Sequence, residues 1–150
     1  MTLIISDKPT AQEVAPSGLQ PAVCVDAIDI GEQSTPFGKK EQVMLIFELE
    51  ATDSRDERFL LQKRYTKSLH KKSNLRQDLQ RWRTREFKPD ELQRGFNLKK
   101  VVGVTAMLHV QHKITDRGTW ANVDSVMPAP EHQLQPSGNY KRITESLQES

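Results

Sequence analysis

The stretch from Arg58 to Trp82 reads RFLLQKRYTKSLHKKSNLRQDLQRW, and its periodicity changes partway along. Over Arg58–Thr66 the side chains alternate: Phe59, Leu61, Lys63 and Tyr65 share one face, and Arg58, Leu60, Gln62 and Arg64 the other, the period of a β-strand. From Asn74 onward, Leu75, Leu79 and Trp82 fall at i, i+4 and i+7, one stripe of an α-helix. Asn74 with Gln77 three residues later predicts the helix start. A β-strand thus leads into a helix through the polar connection KSLHKKS.

Working upstream, Gln42–Glu50 (QVMLIFELE) is an apolar strand, joined to the first stretch by the turn Thr52–Arg55, so the two predict a hairpin. Before it, Ala22–Ile30 (AVCVDAIDI) predicts another strand, with Cys24, Asp26, Ile28 and Ile30 on one face and Val23, Val25, Ala27 and Asp29 on the other. The ten residues between these strands, with Gly31, Pro36 and Gly38, predict a loop. Downstream, Pro89, Asp90 and Glu91 suit the start of a second short helix that Gly95 ends, with Phe87 stapling onto Leu92. Val101–Gln111 and Thr119–Met127 then read as two strands about an Asp116-Arg117-Gly118 turn, stopped by Pro128 and Pro130. The order of three strands, helix and two strands is that of the OB-fold, a five-stranded Greek-key barrel with a helical insert between strands 3 and 4; another small α+β domain is the alternative. Residues 1–20 read as a lead-in with a short strand at Thr2–Ser6, residues 21–130 as the barrel domain, and residues 131–150 as a flexible tail. There is no evident internal repeat.

The chain of 150 residues suits one domain. Its formal charge of +2 conceals a polarity along the chain. Residues 1–54 hold three Lys and nine acids, whereas residues 55–100 hold fifteen bases and six acids. Ten bases and two acids lie between Lys63 and Lys88 alone. Like charge so concentrated repels itself, and it suits a polyanionic partner better than it suits a mixed solvated surface. No run reaches the ~18–20 apolar residues of a membrane span. Met1–Ser17 has neither a basic start nor a long apolar core, which predicts no secretory leader. The one cysteine, Cys24, excludes an internal disulfide and a multi-cysteine zinc site and fits a reducing cytosol.

The runs AVCVDAIDIGEQSTPFGKKEQVMLIFELE, FLLQKRYTKSLHKKSNLRQDLQRW, FNLKKVVGVTAMLHVQH and NVDSVMPAP resemble a family of small bacteriophage-encoded single-stranded DNA-binding proteins of OB-fold type. The resemblance covers about residues 18–130 and is carried above all by KRYTKSL and KKSNLRQDLQRW. It implies sequence-independent binding of single-stranded DNA during phage DNA replication and recombination, in the cytoplasm of a bacterial host, alongside replication or recombination proteins. The better-known bacterial single-stranded DNA-binding proteins end in an acidic run with a terminal Phe, whereas this sequence closes in TESLQES. Recruitment of partners through such a tail is therefore not expected.

Binding single strands without sequence preference needs cations for phosphates and open rings for bases. OB-folds offer both on strands 2–3 and on the loops joining strands 1–2 and 4–5. The candidates are Phe37, Lys39 and Lys40 in the first loop, Arg58, Lys63, Arg64 and Tyr65 on strand 3, Lys67, Lys71, Lys72 and Arg76 after it, and Lys113, Arg117 and Trp120 around the last turn. Each ring has a rival reading as packing. Phe47, Trp82, Phe87 and Phe96 read as core, Phe37, Tyr65 and Trp120 equally as core or contact, and Tyr140 as solvated or stacked.

Catalytic and metal readings are weaker. Glu86-Phe87-Lys88 matches a nuclease-like E-x-K, but it precedes Pro89 in a turn rather than lying on one strand. Asp26, Asp29, Glu48 and Glu50 could meet around Mg²⁺ but suit solvated faces as well. His109 and His112 alternate to opposite faces, the wrong arrangement for one shared metal. The expectation is a binding protein without catalytic residues, metal or cofactor, not membrane-bound, in which homo-oligomers are allowed. The competing reading is a protein-interaction or RNA-binding module, its acidic first half facing a basic partner or a neighbouring copy.

Overall fold

Five strands build the frame of the fold, and two of the connections between them are tight. A computed structural model describes residues 13–140. The strands are β1 (Gly18–Thr35), β2 (Gly38–Thr52), β3 (Arg58–Thr66), β4 (Thr105–Thr115) and β5 (Gly118–Pro128). Between β3 and β4 lie helices α1 (Asn74–Arg83) and α2 (Pro89–Arg94) and a single 3₁₀ turn, Leu98–Val101. The strands form one antiparallel sheet in the order β3-β2-β1-β4-β5. The two end strands also touch, since the Lys63 ammonium on β3 donates to the Asp124 carbonyl on β5 at 2.8 Å. The sheet is therefore curled and barrel-like.

The inner face carries the main core. Phe47 packs against Trp82 of α1 with ring centroids 5.8 Å apart, and the Trp82 indole N–H donates to the Thr105 carbonyl at 2.9 Å. Leu75 and Leu79 complete the buried stripe of α1, as the helical spacing predicts. A bulge between Cys24 and Asp26 shifts the side-chain parity of β1. Ala22, Cys24 and Ala27 consequently face the main core, whereas Val23, Val25, Ile28 and Ile30 join Met44 and Ile46 in a second cluster outside the sheet. Simple alternation grouped Cys24 with Ile28 and Ile30, and the bulge corrects it.

Several other boundaries differ from expectation, each for a local reason. The stretch expected as a ten-residue loop is the outer half of the β1–β2 ribbon, turned at Pro36-Phe37. Thr35 Oγ1 donates to the Gly38 carbonyl at 2.6 Å and accepts from the Phe37 N–H at 3.1 Å. The β4–β5 turn is built alike: Thr115 Oγ1 accepts from the Arg117 N–H at 3.2 Å and faces the Gly118 carbonyl at 3.5 Å. Both turns have the pattern Thr-x-x-Gly. The glycine follows from its φ, +100° at Gly38 and +137° at Gly118. Strand β4 begins at Thr105 rather than Val101, because Leu98–Val101 coils into the 3₁₀ turn. The helix cap of α1 is Ser73, whose hydroxyl accepts from the Arg76 N–H, not Asn74.

Neither flank is loose where it is described. Ala15 is buried in the main core, and its carbonyl meets His112 Nε2 at 2.7 Å. Residues expected in the flexible tail instead form a strap. Leu134 is buried in the second cluster, Ser137 binds the Glu48 carboxylate through both its N–H and its hydroxyl, and Tyr140 donates to Asp26 at 2.8 Å. The proposed strand at Thr2–Ser6 and the last ten residues lie outside the described residues.

Helix α2 is tied down by one carboxylate. Glu91 accepts from the Lys88 N–H at 3.0 Å and from Arg83 Nη2 at 2.8 Å. These two bonds, the backbone one foremost, hold its pKa down to about 2, below the usual 4.5. A lowered carboxylate pKa contributes stability that is complete above the unfolded value and is lost as pH falls through the folded one. The melting temperature of Glu91→Gln should therefore lie below that of the parent at neutral pH, and the two should converge between pH 4.5 and 2. A constant gap across that window would contradict the assignment.

Candidate nucleic-acid interface

Along β3 the outward residues Leu60, Gln62 and Arg64 face the beginning of β5, where Trp120 and Asn122 stand. Together with Ile46 and Tyr140 they line an open groove of about 610 Å³. Leu60 and Trp120 remain 49% and 46% exposed, although apolar neighbours surround them. Tyr140 brings the strap to the groove wall, where its hydroxyl is held by the buried Asp26. The groove thus combines an accessible indole, apolar side chains, two amides and one guanidinium that makes no ion pair among the described residues.

The two Thr-x-x-Gly hairpins carry the other exposed candidates, and the second is joined to the groove through Trp120. Phe37 tops the first at 89% exposure, followed by Lys39 and Lys40. Every residue from Gln111 to Trp120 of the second is exposed, including Ile114 at 79%. Lys113 pairs across the ribbon with Trp120, and Arg117 sits in the turn. These apolar side chains are offered to water on the ribbon, interleaved with cations, and take no part in the core. Ile114 was not among the sequence candidates. It shares its alternation with Ala106, Leu108 and Val110 of β4, and only the structure shows that the ribbon has left the core by Ile114.

Other candidates serve the fold. Tyr65 is 2% exposed and donates to Asp78 at 2.7 Å, and burial followed by that carboxylate pushes its phenol pKa up. Its ring is core and is not open to a base. Lys63 bonds the same Asp78 oxygen at 2.9 Å and the Asp124 carbonyl, so its charge is held inside the fold. Arg76 lies along α1, bonded to Gln80 and the Leu69 carbonyl. Arg58 pairs with the buried Glu48 and also donates to the Gln135 carbonyl. Lys67 pairs with Asp29 at 2.7 Å, which lowers the Asp29 pKa and raises that of Lys67. That pair is half-exposed, so its net worth is small. Arg81 and Arg83 are likewise paired, with Asp78 and Glu91.

Half of the ten bases between Lys63 and Lys88 therefore neutralise acids or bond to the chain itself. Arg64 in the groove, and Lys71 and Lys72 in the exposed loop before α1, keep their charge free of ion pairs among the described residues. Among the described residues Lys39 meets only the exposed Glu32, at 3.8 Å. The acids considered for Mg²⁺ are separated by their partners: Asp26 by Tyr140, Asp29 by Lys67 and Glu48 by Arg58 and Ser137. His109 faces Asp124 and His112 faces Ala15. No described helix is long and apolar enough to cross a membrane.

A scan against models of protein families matches none, and a comparison with curated proteins finds no match.

Proposed function

We propose that this chain is an OB-fold protein that binds single-stranded DNA with little sequence preference and catalyses nothing. The strand order β3-β2-β1-β4-β5, with β3 meeting β5 and helices between β3 and β4, is the arrangement a Greek-key barrel of this type requires. The observation that carries the reading is the groove between β3 and β5, where Trp120, Leu60, Gln62 and Arg64 converge, with Lys113 paired across the ribbon from Trp120. A base stacks on Trp120, the phosphates run past Arg64, Lys113 and Arg117, and Phe37 with Lys39 and Lys40 closes over the strand from the other hairpin. Stacking and charge serve every base alike, which is why specificity is low. The sequence resemblance supports a role in phage DNA replication and recombination within the bacterial host cytoplasm.

Titration of fluorescein-labelled oligo-dT at several salt concentrations tests this. Log affinity should fall linearly with log salt, with a slope near −0.7 for each phosphate contacted. Affinity independent of salt would contradict the proposal. Competition by RNA of equal length that matches or exceeds DNA would reassign the same groove to RNA.

A further inference from the structure

A second hollow, of about 190 Å³, lies between the end of α1 and the 3₁₀ turn and shares no lining residue with the groove. Trp82, Phe96 and Val104 give it apolar walls, and Arg83, Arg85 and Lys100 stand around them. A wider, more polar channel of about 360 Å³ shares Trp82 and Val104 and continues past Thr105 toward Gln135. Val104 is 43% exposed at the junction.

The chemistry of this hollow differs from that of the groove. Two cations lie over its Phe96 ring, the Arg83 guanidinium 5.7 Å and the Lys100 ammonium 5.9 Å from the centroid. Trp82 is 7% exposed and packed on Phe47, so neither it nor Phe96 offers a free face for a base to stack on, which disfavours a nucleic acid. Among the described residues Glu91 bonds Arg83 and also feels the charge of Arg85, which leaves three cations around a single carboxylate. Arg85 and Lys100 have no ion-pair partner among the described residues, and the buried Arg83 Nη1 has no acceptor. An apolar pocket with positive charge left unmatched on its rim is complementary to an apolar side chain flanked by carboxylates.

We propose that this hollow docks an acidic peptide from a partner protein. One aromatic or branched aliphatic side chain enters beside Trp82 and Val104, carboxylates on either side of it pair with Arg85 and Lys100, and the peptide continues along the adjoining channel. Docking is thereby separated from DNA binding, so that one molecule can hold both.

The test is the anisotropy of a labelled synthetic peptide, Asp-Glu-Asp-Phe-Glu-Asp, titrated with the full chain. Saturable binding is expected. It should weaken about tenfold or more when the peptide's Phe is replaced by Ala, when its acids are replaced by amides, and in the doubly substituted Arg85→Glu, Lys100→Glu protein. Val104→Glu, at an exposed position, should act likewise while keeping the parent melting temperature. Oligo-dT binding by these variants, measured in parallel, should persist, so failure of the peptide site and failure of the DNA site are told apart. No saturable binding, binding indifferent to these substitutions, or displacement of the peptide by oligo-dT would each overturn the proposal.

Discussion

Replacing Asp78 by Ala is expected to remove a large part of the stability of the fold, on the order of 3–5 kcal/mol out of the roughly 5–15 kcal/mol typical of a domain. Asp78 is a buried acid on α1 that binds three groups from the rest of the chain: Lys63 at 2.9 Å, the Tyr65 hydroxyl at 2.7 Å and Arg81 at 2.7 Å. Two of these come from β3, so the carboxylate locks the helix to the sheet. Without it, the mostly buried Lys63 ammonium loses its counter-charge beside the sealed Tyr65 phenol, and an uncompensated buried charge costs more than the pair contributed. The loss therefore exceeds that of an exposed ion pair such as Lys67–Asp29. Chemical denaturation of Asp78→Ala measures the effect, and Lys63→Met in the same background should restore part of it by removing the stranded charge. A loss below about 1 kcal/mol would place Asp78 among ordinary surface acids.

The second large effect concerns binding. Trp120→Ala should weaken oligo-dT binding by roughly 1–3 kcal/mol, about fivefold to 150-fold, the usual worth of one base stacked on an aromatic ring. Because Trp120 is 46% exposed, the melting temperature should change little. Phe37→Ala should act in the same direction, because the ring stands almost wholly in water and packs on nothing it could destabilise. A Trp120 variant that melts early, with affinity falling only in proportion to the unfolded fraction, would make the indole a structural residue.

The contrast between Asp78 and Trp120 shows which parts of the molecule were legible in its sequence. Strand β3 and helix α1 emerge with nearly correct limits because their periods, two and 3.6, are unbroken. The same alternation had already set Lys63 and Tyr65 on the face of Phe59 and Leu61, a signal that they point inward. Asp78 lies at i+3 in the Leu75–Leu79–Trp82 stripe, and an acid in an apolar stripe marks a buried pair. Both signals lie in the sequence, whereas a surplus of basic residues carries no information about which face each one occupies. Other features were not legible. The β1 bulge leaves no local mark strong enough to displace simple alternation. The strap from Leu134 to Tyr140 is polar and rich in Pro, Ser and Gly, and only long-range bonds to Glu48 and Asp26 order it. The groove itself joins β3 to β5 across some sixty residues, a pairing that no local pattern contains.

The central claim is that single-stranded DNA lies in the groove between β3 and β5. Mapping backbone amide shifts of the isotopically labelled protein during titration with oligo-dT tests it most directly. The account predicts that the largest shifts fall on Leu60, Gln62, Arg64, Asn122 and the two hairpin turns. Shifts confined to α1, α2 and the 3₁₀ turn, or none at saturating oligo-dT, would contradict it.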